Sequence, residues 1–151
     1  MMNSITYRIA QLDDVEKVYQ FEVTAKFQDD SESFENKMLI WDSSFRKESL
    51  EHHFKLGWSF VAEDDQKNIV GFFLGQPLLF VDKQTQTLWV EYVSALTADV
   101  TGELIDIAYR LSREKHFQRV LFASSVLELD LKKSFSFHPW DRETVLLKTT
   151  K

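Results

Sequence analysis

The chain has no cysteine, and its 151 residues include only two prolines and four glycines. Without cysteine it has no thiol nucleophile, no disulfide framework and no thiolate metal site. The shortage of proline and glycine leaves few places for a linker, and the length suits one domain with a single core. We therefore expect residues 1–151 to form one compact domain.

Two further absences concern location and partners. The first residues show no basic segment followed by an apolar run, as a secretory signal would. The longest apolar run, residues 69–81, contains Gln76 and Pro77 and falls short of the ~20 residues that a membrane-spanning helix needs. The net charge is −6, and the lysines and arginines are scattered, which argues against a nucleic-acid surface. These features predict a cytoplasmic protein with neither a membrane nor a nucleic-acid partner.

Material for a core is plentiful. Hydrophobic residues make up 44% of the chain and charged residues 28%, and thirteen phenylalanines and four tryptophans supply bulky side chains. This composition is typical of a folded globular domain and not of a disordered one.

The hydrophobic periodicity predicts an ordered series of strands and helices. A strand is followed by a helix that Asp13 or Asp14 can cap, and by a second helical region with a possible break at residues 42–44. Three antiparallel strands joined by polar turns come next, the second of these turns at residues 82–87. Strands are expected at residues 6–10, 58–63, 69–76, 88–93, 119–124, 136–138 and 144–148. Helices are expected from about residue 15 to 23, 33 to 55, 102 to 115 and 126 to 134.

The helix at residues 102–115 connects strand four to strand five, so these two strands should be parallel, with a right-handed crossover. The element order is then β-α-α-β-β-β-α-β-α-β-β. It predicts the α/β class, with a mixed sheet of six to seven strands and helices on both faces.

This order resembles the GNAT superfamily of N-acetyltransferases over essentially the whole chain. TYRIAQLDD (residues 6–14) resembles the family's first strand and the acidic start of its first helix. FVAEDDQKNIVGFFLG (60–75) resembles its second and third strands. LKKSFSFHPWDRETVLLKT (131–149) resembles its closing helix and final hairpin. The resemblance implies a domain that binds acetyl-CoA where strands four and five separate, and that transfers the acetyl group directly to an amine.

The stretch LTADVTGELI (96–105) stands where the family holds the pyrophosphate with backbone N–H groups of an R/Q-x-x-G-x-G/A loop. If Gly102 takes the last glycine position, Val100 replaces the first glycine and Thr97 replaces the Arg or Gln. The alternative is a helix start capped by Thr101 with no ligand, which Glu103 in the first turn would also suit. The cofactor-binding residues that the resemblance implies are Val93, Ser94, Ala95, Leu96, Thr101, Gly102, Glu103 and Ser124.

The resemblance also directs attention to the catalytic groups. Glu91 on strand four is the candidate base, with a solvent-facing strand residue as the alternative, and Tyr92 is expected on the opposite face. No tyrosine occurs at 131–133, where many family members have their general acid. His52 and His53 with Glu48 could suggest a metal pair, but no third ligand is apparent, so no metal site is predicted. His138, next to Pro139 and Trp140 in the final hairpin, could face a substrate groove or only fill the turn.

Three hypotheses about function stay open at this point. The first is an acetyl-CoA-dependent N-acetyltransferase that acts on a small-molecule or peptide amine. The second is a catalytically inactive domain of the same fold that binds a ligand or a protein. The third is an unrelated α/β binding domain. Many relatives form dimers, so the resemblance also implies a possible homodimer.

Overall fold

The computed structural model describes residues 4–28, 30–123, 135–140 and 144–149. Within these ranges the chain forms five strands and four α-helices, and a short 3-10 turn, Leu12–Asp14, precedes the first helix. The elements in chain order are β1 (Thr6–Ile9), α1 (Val15–Phe27), α2 (Phe34–Trp41), α3 (Lys47–Leu56), β2 (Phe60–Glu63), β3 (Ile69–Val81), β4 (Gln84–Ala95), α4 (Ala98–Glu114) and β5 (Arg119–Phe122).

All five strands belong to one sheet in the order β1-β2-β3-β4-β5. The first three pairings are antiparallel, and β4 pairs with β5 in parallel, so the mixed α/β sheet is confirmed. The break that was expected near residues 42–44 is also present, because α2 ends at Trp41 and α3 begins at Lys47.

Two expectations about the strands are wrong. Residues 136–138 and 144–148 do not form strands, so the described sheet has five strands instead of six or seven. Phe137, Thr144 and Val145 are residue types favoured in strands, but Val145, Leu146 and Leu147 are 82–99% exposed, so this segment covers no sheet face. The expected helix at residues 126–134 lies outside the described residues, as does Ser124.

The turn between β3 and β4 is much shorter than the sequence suggests. Asp82 and Lys83 have φ values of 54° and 66°, and Val81 pairs directly with Gln84. Two consecutive residues with positive φ match the twist of an antiparallel hairpin, so both strands continue into the polar segment that was expected to be a loop at residues 82–87.

Helices cover both faces of this sheet. Alternate β3 residues point to opposite sides, so Phe72 and Leu74 join the core under α1, α2 and α3, while Phe73 joins the core under α4. No helix in the described part of the chain is long and apolar enough to cross a membrane. The two cores fix β3 and β4 between the helical layers.

An ion-pair cluster joins β1 to the start of α1. The Arg8 guanidinium donates to both oxygens of Asp14 at 2.7 Å and to Glu63 Oε1 at 2.8 Å. Asp14 precedes α1 but makes no side-chain cap on it, because its carboxylate accepts from Arg8 and from the Gln11 N–H. Burial raises the pKa of Asp14, and the hydrogen bonds and charge of Arg8 outweigh this, so that the pKa is lowered overall.

Candidate active site

A β-bulge interrupts β4 at the candidate base. Leu74 of β3 pairs with Tyr92, and the next β3 residue, Gly75, pairs with Val90. Glu91 therefore has no partner residue in β3. One extra residue on a strand bends it and changes the face to which the following side chains point.

Because of this bulge, Glu91 and Tyr92 both face the layer of α1, α2 and α3. The Glu91 carboxylate accepts hydrogen bonds from Trp89 Nε1 at 2.6 Å and from Ser44 Oγ at 3.3 Å. The Tyr92 ring packs against Phe45 with a centroid separation of 6.0 Å. The expectation that Tyr92 faces away from Glu91 is wrong, since a regular strand alternates but a bulged one does not.

The pairing between β4 and β5 ends at the same level. The last pair is Val90 with Phe122, and the Ala123 N–H then donates to the Val90 carbonyl at 3.1 Å. From Tyr92 to Ala95, which lies opposite Gly71, β4 pairs with β3 alone among the described strands. The bulge thus coincides with the end of the pairing between β4 and β5 in the described part of the chain.

Beyond the bulge, Val93, Ser94 and Ala95 of β4 pair with β3. The N–H of Leu96 donates to the Val70 carbonyl on β3 at 2.9 Å. Since successive peptide groups of a strand turn to opposite edges, we infer that those of Val93 and Ala95 turn toward the edge away from β3. An extended ligand with amide groups fits such an edge.

The start of α4 differs from the expected turn around Gly102. The helix begins at Ala98, four residues earlier, and Thr97 is its N-cap, with Oγ1 accepting from the Val100 N–H at 3.2 Å. The prediction of Thr101 as the N-cap is therefore wrong. Gly102 is the fifth residue of α4, where its N–H belongs to the helical ladder and not to an anion cradle.

The side chains near this helix start are also engaged. Thr101 is buried, and its hydroxyl donates to the Thr97 carbonyl at 3.1 Å. Glu103 pairs with Arg110 at 3.0 Å. Helix geometry leaves the N–H groups of Ala98 and Asp99 as donors, but the Asp99 carboxylate lies in the same turn and opposes a bound anion.

Comparison with known proteins reveals likeness in structure alone, because no family model and no curated protein matches the chain. A GCN5-related N-acetyltransferase from Ralstonia eutropha JMP134 is 12% identical with a TM-score of 0.68, and the match covers 95% of this chain and 99% of that one. The chain has the GNAT fold. An aminoglycoside N-acetyltransferase, AAC(6')-Iy, in complex with CoA is 12% identical with a TM-score of 0.66, covering 99% and 98% of the two chains. A predicted acetyltransferase with acetyl-CoA from Clostridium acetobutylicum is 12% identical with a TM-score of 0.64, covering 95% and 96%.

Within this GNAT fold, a buried acid lies beside the segment of β4 that follows the bulge. Glu22 of α1 is 1% exposed, and its Oε1 accepts from Ser94 Oγ at 3.0 Å. Burial raises its pKa more than the Ser94 hydrogen bond and the nearby Lys26 ammonium lower it. Burial, and then the charge of Glu22, raises the pKa of Tyr92. Glu22 was not among the candidate residues that the sequence indicated, although it follows the buried Val18 by four residues and so shares its helix face.

Glu22→Gln is expected to make the folded protein more stable than wild type at pH 7–8. The pKa of Glu22 is higher in the folded protein than in the unfolded chain. Such a group contributes stability that is fully present below its unfolded pKa of about 4.3, and this stability is lost as pH rises through its folded pKa. Glutamine has no proton to lose and can still accept from Ser94. The free energy of unfolding, measured with urea from pH 4 to 8, should therefore diverge from wild type as pH rises.

The exposed Glu114→Gln is the matched control, and its unfolding free energy should run parallel to wild type over this range. A Glu22→Gln protein that is less stable than wild type at pH 8 would show instead that the charged carboxylate is favourable in its site.

The two adjacent histidines have separate partners. His53 is buried, and its Nδ1 donates to the Ser49 carbonyl at 2.8 Å, while His52 Nε2 lies 3.2 Å from Gln76 Oε1. Burial lowers the pKa of His53. Among the residues that the structure describes, no group of three or more histidines and carboxylates could hold a metal ion.

Proposed function

We propose that this chain transfers an acyl group, acetyl in the simplest case, from a CoA thioester directly to an amine. The observation that carries the proposal is the bulge, which brings the Glu91 carboxylate to the level at which the described pairing of β4 with β5 ends. The GNAT fold supports the reaction class by analogy. The CoA and acetyl-CoA in two structural neighbours support the choice of donor.

Glu91 is assigned the role of general base. An amine is mostly protonated near neutral pH, and it attacks a thioester only after a proton has been removed. The Glu91 oxygens accept from Trp89 and Ser44, which orient the carboxylate, and a carboxylate has lone pairs left for an ammonium. The nitrogen–carbon bond then forms, the carbon–sulfur bond breaks, and the thiolate leaves and takes up a proton.

The acyl donor fits one part of the site better than another. The edge of β4 away from β3, at Val93 and Ala95, suits the amides of the pantetheine arm. The start of α4 does not suit the pyrophosphate as a glycine loop would, because Thr97 caps the helix and Asp99 adds a negative charge. We therefore expect the arm of the donor to contribute more to affinity than its nucleotide.

The α4 start favours a second candidate function. A GNAT-fold domain whose helix start is capped by its own Thr97 hydroxyl is a stable structure without any nucleotide. Such a domain could bind a ligand or a protein and catalyse nothing. The binding of acetyl-CoA separates the two candidates.

Saturating acetyl-CoA is expected to raise the thermal midpoint of the purified chain. A ligand at ~100 times its dissociation constant adds about 2.7 kcal/mol, which corresponds to roughly 5–10 °C for a domain of this size. S-acetylpantetheine, which lacks the nucleotide, should give a similar rise at its own saturation, and CoA release with a broad amine panel should report turnover. If neither compound shifts the midpoint at millimolar concentration, the binding-module candidate is favoured.

A further inference from the structure

The proposed acyl transfer needs a source for one more proton. When the carbon–sulfur bond breaks, the sulfur leaves as an alkyl thiolate, and an alkyl thiol such as that of cysteine has a pKa of about 8.5. The thiolate therefore takes up a proton at neutral pH, and a positioned acid speeds this step. Glu91 by then holds the proton that it removed from the ammonium. The donor has to be a second group on the same face of the sheet.

Ser94 offers a hydroxyl on this face of β4. It pairs with Phe72 of β3 and contacts Glu22 of α1, so its side chain points to the same helical layer as the Glu91 carboxylate. Both Ser94 and Glu91 are partly exposed. Three residues of strand separate them, a span of at most about 10 Å. Two hydrogen bonds of about 3 Å with one carbon between them fit this span, so an acid and a base here can act on one thioester carbon.

Behind Ser94 lies a carboxyl group that solvent does not reach. Glu22 is 1% exposed, and its Oε1 lies 3.0 Å from Ser94 Oγ. Its other oxygen, Oε2, is buried and makes no hydrogen bond within the described part of the chain. A buried anion with an unsatisfied oxygen is costly, whereas a neutral carboxyl group is much less so. The site therefore suits a glutamate that carries a proton.

Two further side chains act on Glu22 and do not cancel this preference. Burial raises the pKa of Glu22, while the Ser94 hydrogen bond, the Lys26 ammonium and the Tyr92 hydroxyl lower it by less. Lys26 Nζ lies 4.0 Å from Oε1, and the Lys26 side chain is 48% exposed, so solvent screens its charge. Glu22 thus keeps its proton to a higher pH than an exposed glutamate does.

Resting on the proposed function, we propose that Ser94 is the general acid for the leaving thiolate and that Glu22 supplies its proton. A neutral Glu22 can donate to Ser94 Oγ, because an oxygen–oxygen distance of 3.0 Å serves a hydrogen bond in either direction. The Ser94 O–H is then free to donate to the sulfur. We call this pair the Glu22–Ser94 relay, in which Ser94 is the catalytic residue and Glu22 positions and refills it.

The protons of this relay balance over one turnover. As the carbon–sulfur bond breaks, the Ser94 proton moves to the thiolate and the Glu22 proton moves to Ser94 Oγ. The products are a thiol, an amide and the Glu22 carboxylate, while Glu91 holds the proton of the former ammonium. After the thiol has left, Glu22 regains a proton from water through Ser94, and Glu91 releases its own to water.

The first test is acetyl transfer by the full chain with two changes at Ser94, the rates being taken per folded protein. Ser94→Ala should lower kcat about 10²-fold, at the lower end of the usual contribution of a general acid. Ser94→Thr keeps the hydroxyl and should retain most of the rate. Ser112→Ala is the matched control, because Ser112 is also buried and donates to the Ala108 carbonyl at 2.9 Å. It should leave the rate unchanged.

The second test is the pH dependence, which a purely structural role of Glu22 would not change. The kcat of wild type should fall as pH rises through the pKa of Glu22, because Glu22 then has no proton to give. Glu22→Gln should lower kcat less than Ser94→Ala does, since its amide still donates to Ser94, and it should remove the fall at high pH. Carbon-13 NMR should show the Glu22 proton still bound where a glutamate of the unfolded chain, with a pKa of about 4.3, has lost its own.

The outcomes separate the relay from the proposed function. No transfer by wild type to any amine would refute both. Transfer that Ser94→Ala leaves unchanged would overturn the relay and retain the enzyme, as would a Glu22 that ionises like an unfolded glutamate. A larger loss with Tyr92→Phe than with Ser94→Ala would also overturn the relay, because the phenol would then be the donor. A loss with Ser94→Ala that Ser94→Thr avoids, together with the flattened pH profile of Glu22→Gln, would support it.

Discussion

Glu91→Gln is expected to lower kcat/KM for acetyl transfer about 10²- to 10⁴-fold, the usual contribution of a general base. Glutamine has the size of glutamate and can accept from Trp89 or Ser44, but it cannot take a proton from an ammonium. The measurement is CoA release with an amine that wild type acetylates. The remaining rate should rise with pH more steeply than in wild type, because the variant depends on amine that is already deprotonated.

The control for this change is Glu114→Gln, which makes the same substitution on an exposed position at the far end of α4. It should retain the wild-type rate and the wild-type pH profile. If Glu91→Gln reduces the rate by less than about threefold, the carboxylate has a structural role and the proton goes elsewhere. Unfolding curves for both variants separate a loss of catalysis from a loss of folded protein.

Gly75→Ala is expected to destabilise the fold by about 2–4 kcal/mol, at the upper end of single substitutions. A Cβ at this position would lie 2.4 Å from the Trp58 carbonyl oxygen and 3.2 Å from the Phe73 ring. The carbonyl belongs to the backbone, so the segment before β2 must move. Gly75 also donates its N–H to Ser59 Oγ at 3.0 Å, which fixes the two segments at this distance. Urea unfolding provides the measurement.

Gly57→Ala is the matched control, because it is the same change at a site with open space. Gly57 has a φ of 80°, and nothing lies within 4 Å of a Cβ built on it, so only the left-handed backbone opposes alanine. That cost should be about 1 kcal/mol. Equal effects of the two substitutions would mean that β3 can shift away from Trp58 at little cost. Because Gly75 pairs with Val90 beside the bulge, Gly75→Ala should also lower acetyl transfer by the protein that remains folded.

The order of the elements could be predicted because it depends on local patterns. Alternation in Thr6–Ile9 and helical spacing in α1 and α4 are properties of short windows of sequence. The start of α4 could not be predicted in the same way, because Thr97, Thr101 and Gly102 each suit a helix start. With Thr97 as the N-cap, the helix includes a first turn at residues 98–101. With Thr101 as the N-cap, that turn would lie outside the helix.

The bulge and the buried acid depend on contacts between distant parts of the chain. The residue types around Glu91 do not indicate an extra residue in the strand. The position of the bulge follows from the register with β3, some seventeen positions away in the chain. Glu22 and Ser94 are 72 residues apart, and their contact exists only after α1 has packed on β4. The sequence could therefore nominate Glu91, but it could not determine the face on which Glu91 lies or its neighbours.

The bulge also divides β4 into two halves with opposite phase. Before it, Leu88 and Val90 belong to the core under α4, and after it Val93 and Ala95 do, so the inward positions change from even to odd numbers. One strand thus follows two hydropathy patterns, one before the bulge and one after it. A deletion of Glu91 would restore regular pairing and leave Tyr92 and Ser94 on the side of Glu22, because Val90 and Tyr92 would then be neighbours that point to opposite faces. The extra residue therefore adds the candidate base to the strand without changing which side chains on either side of it face α4.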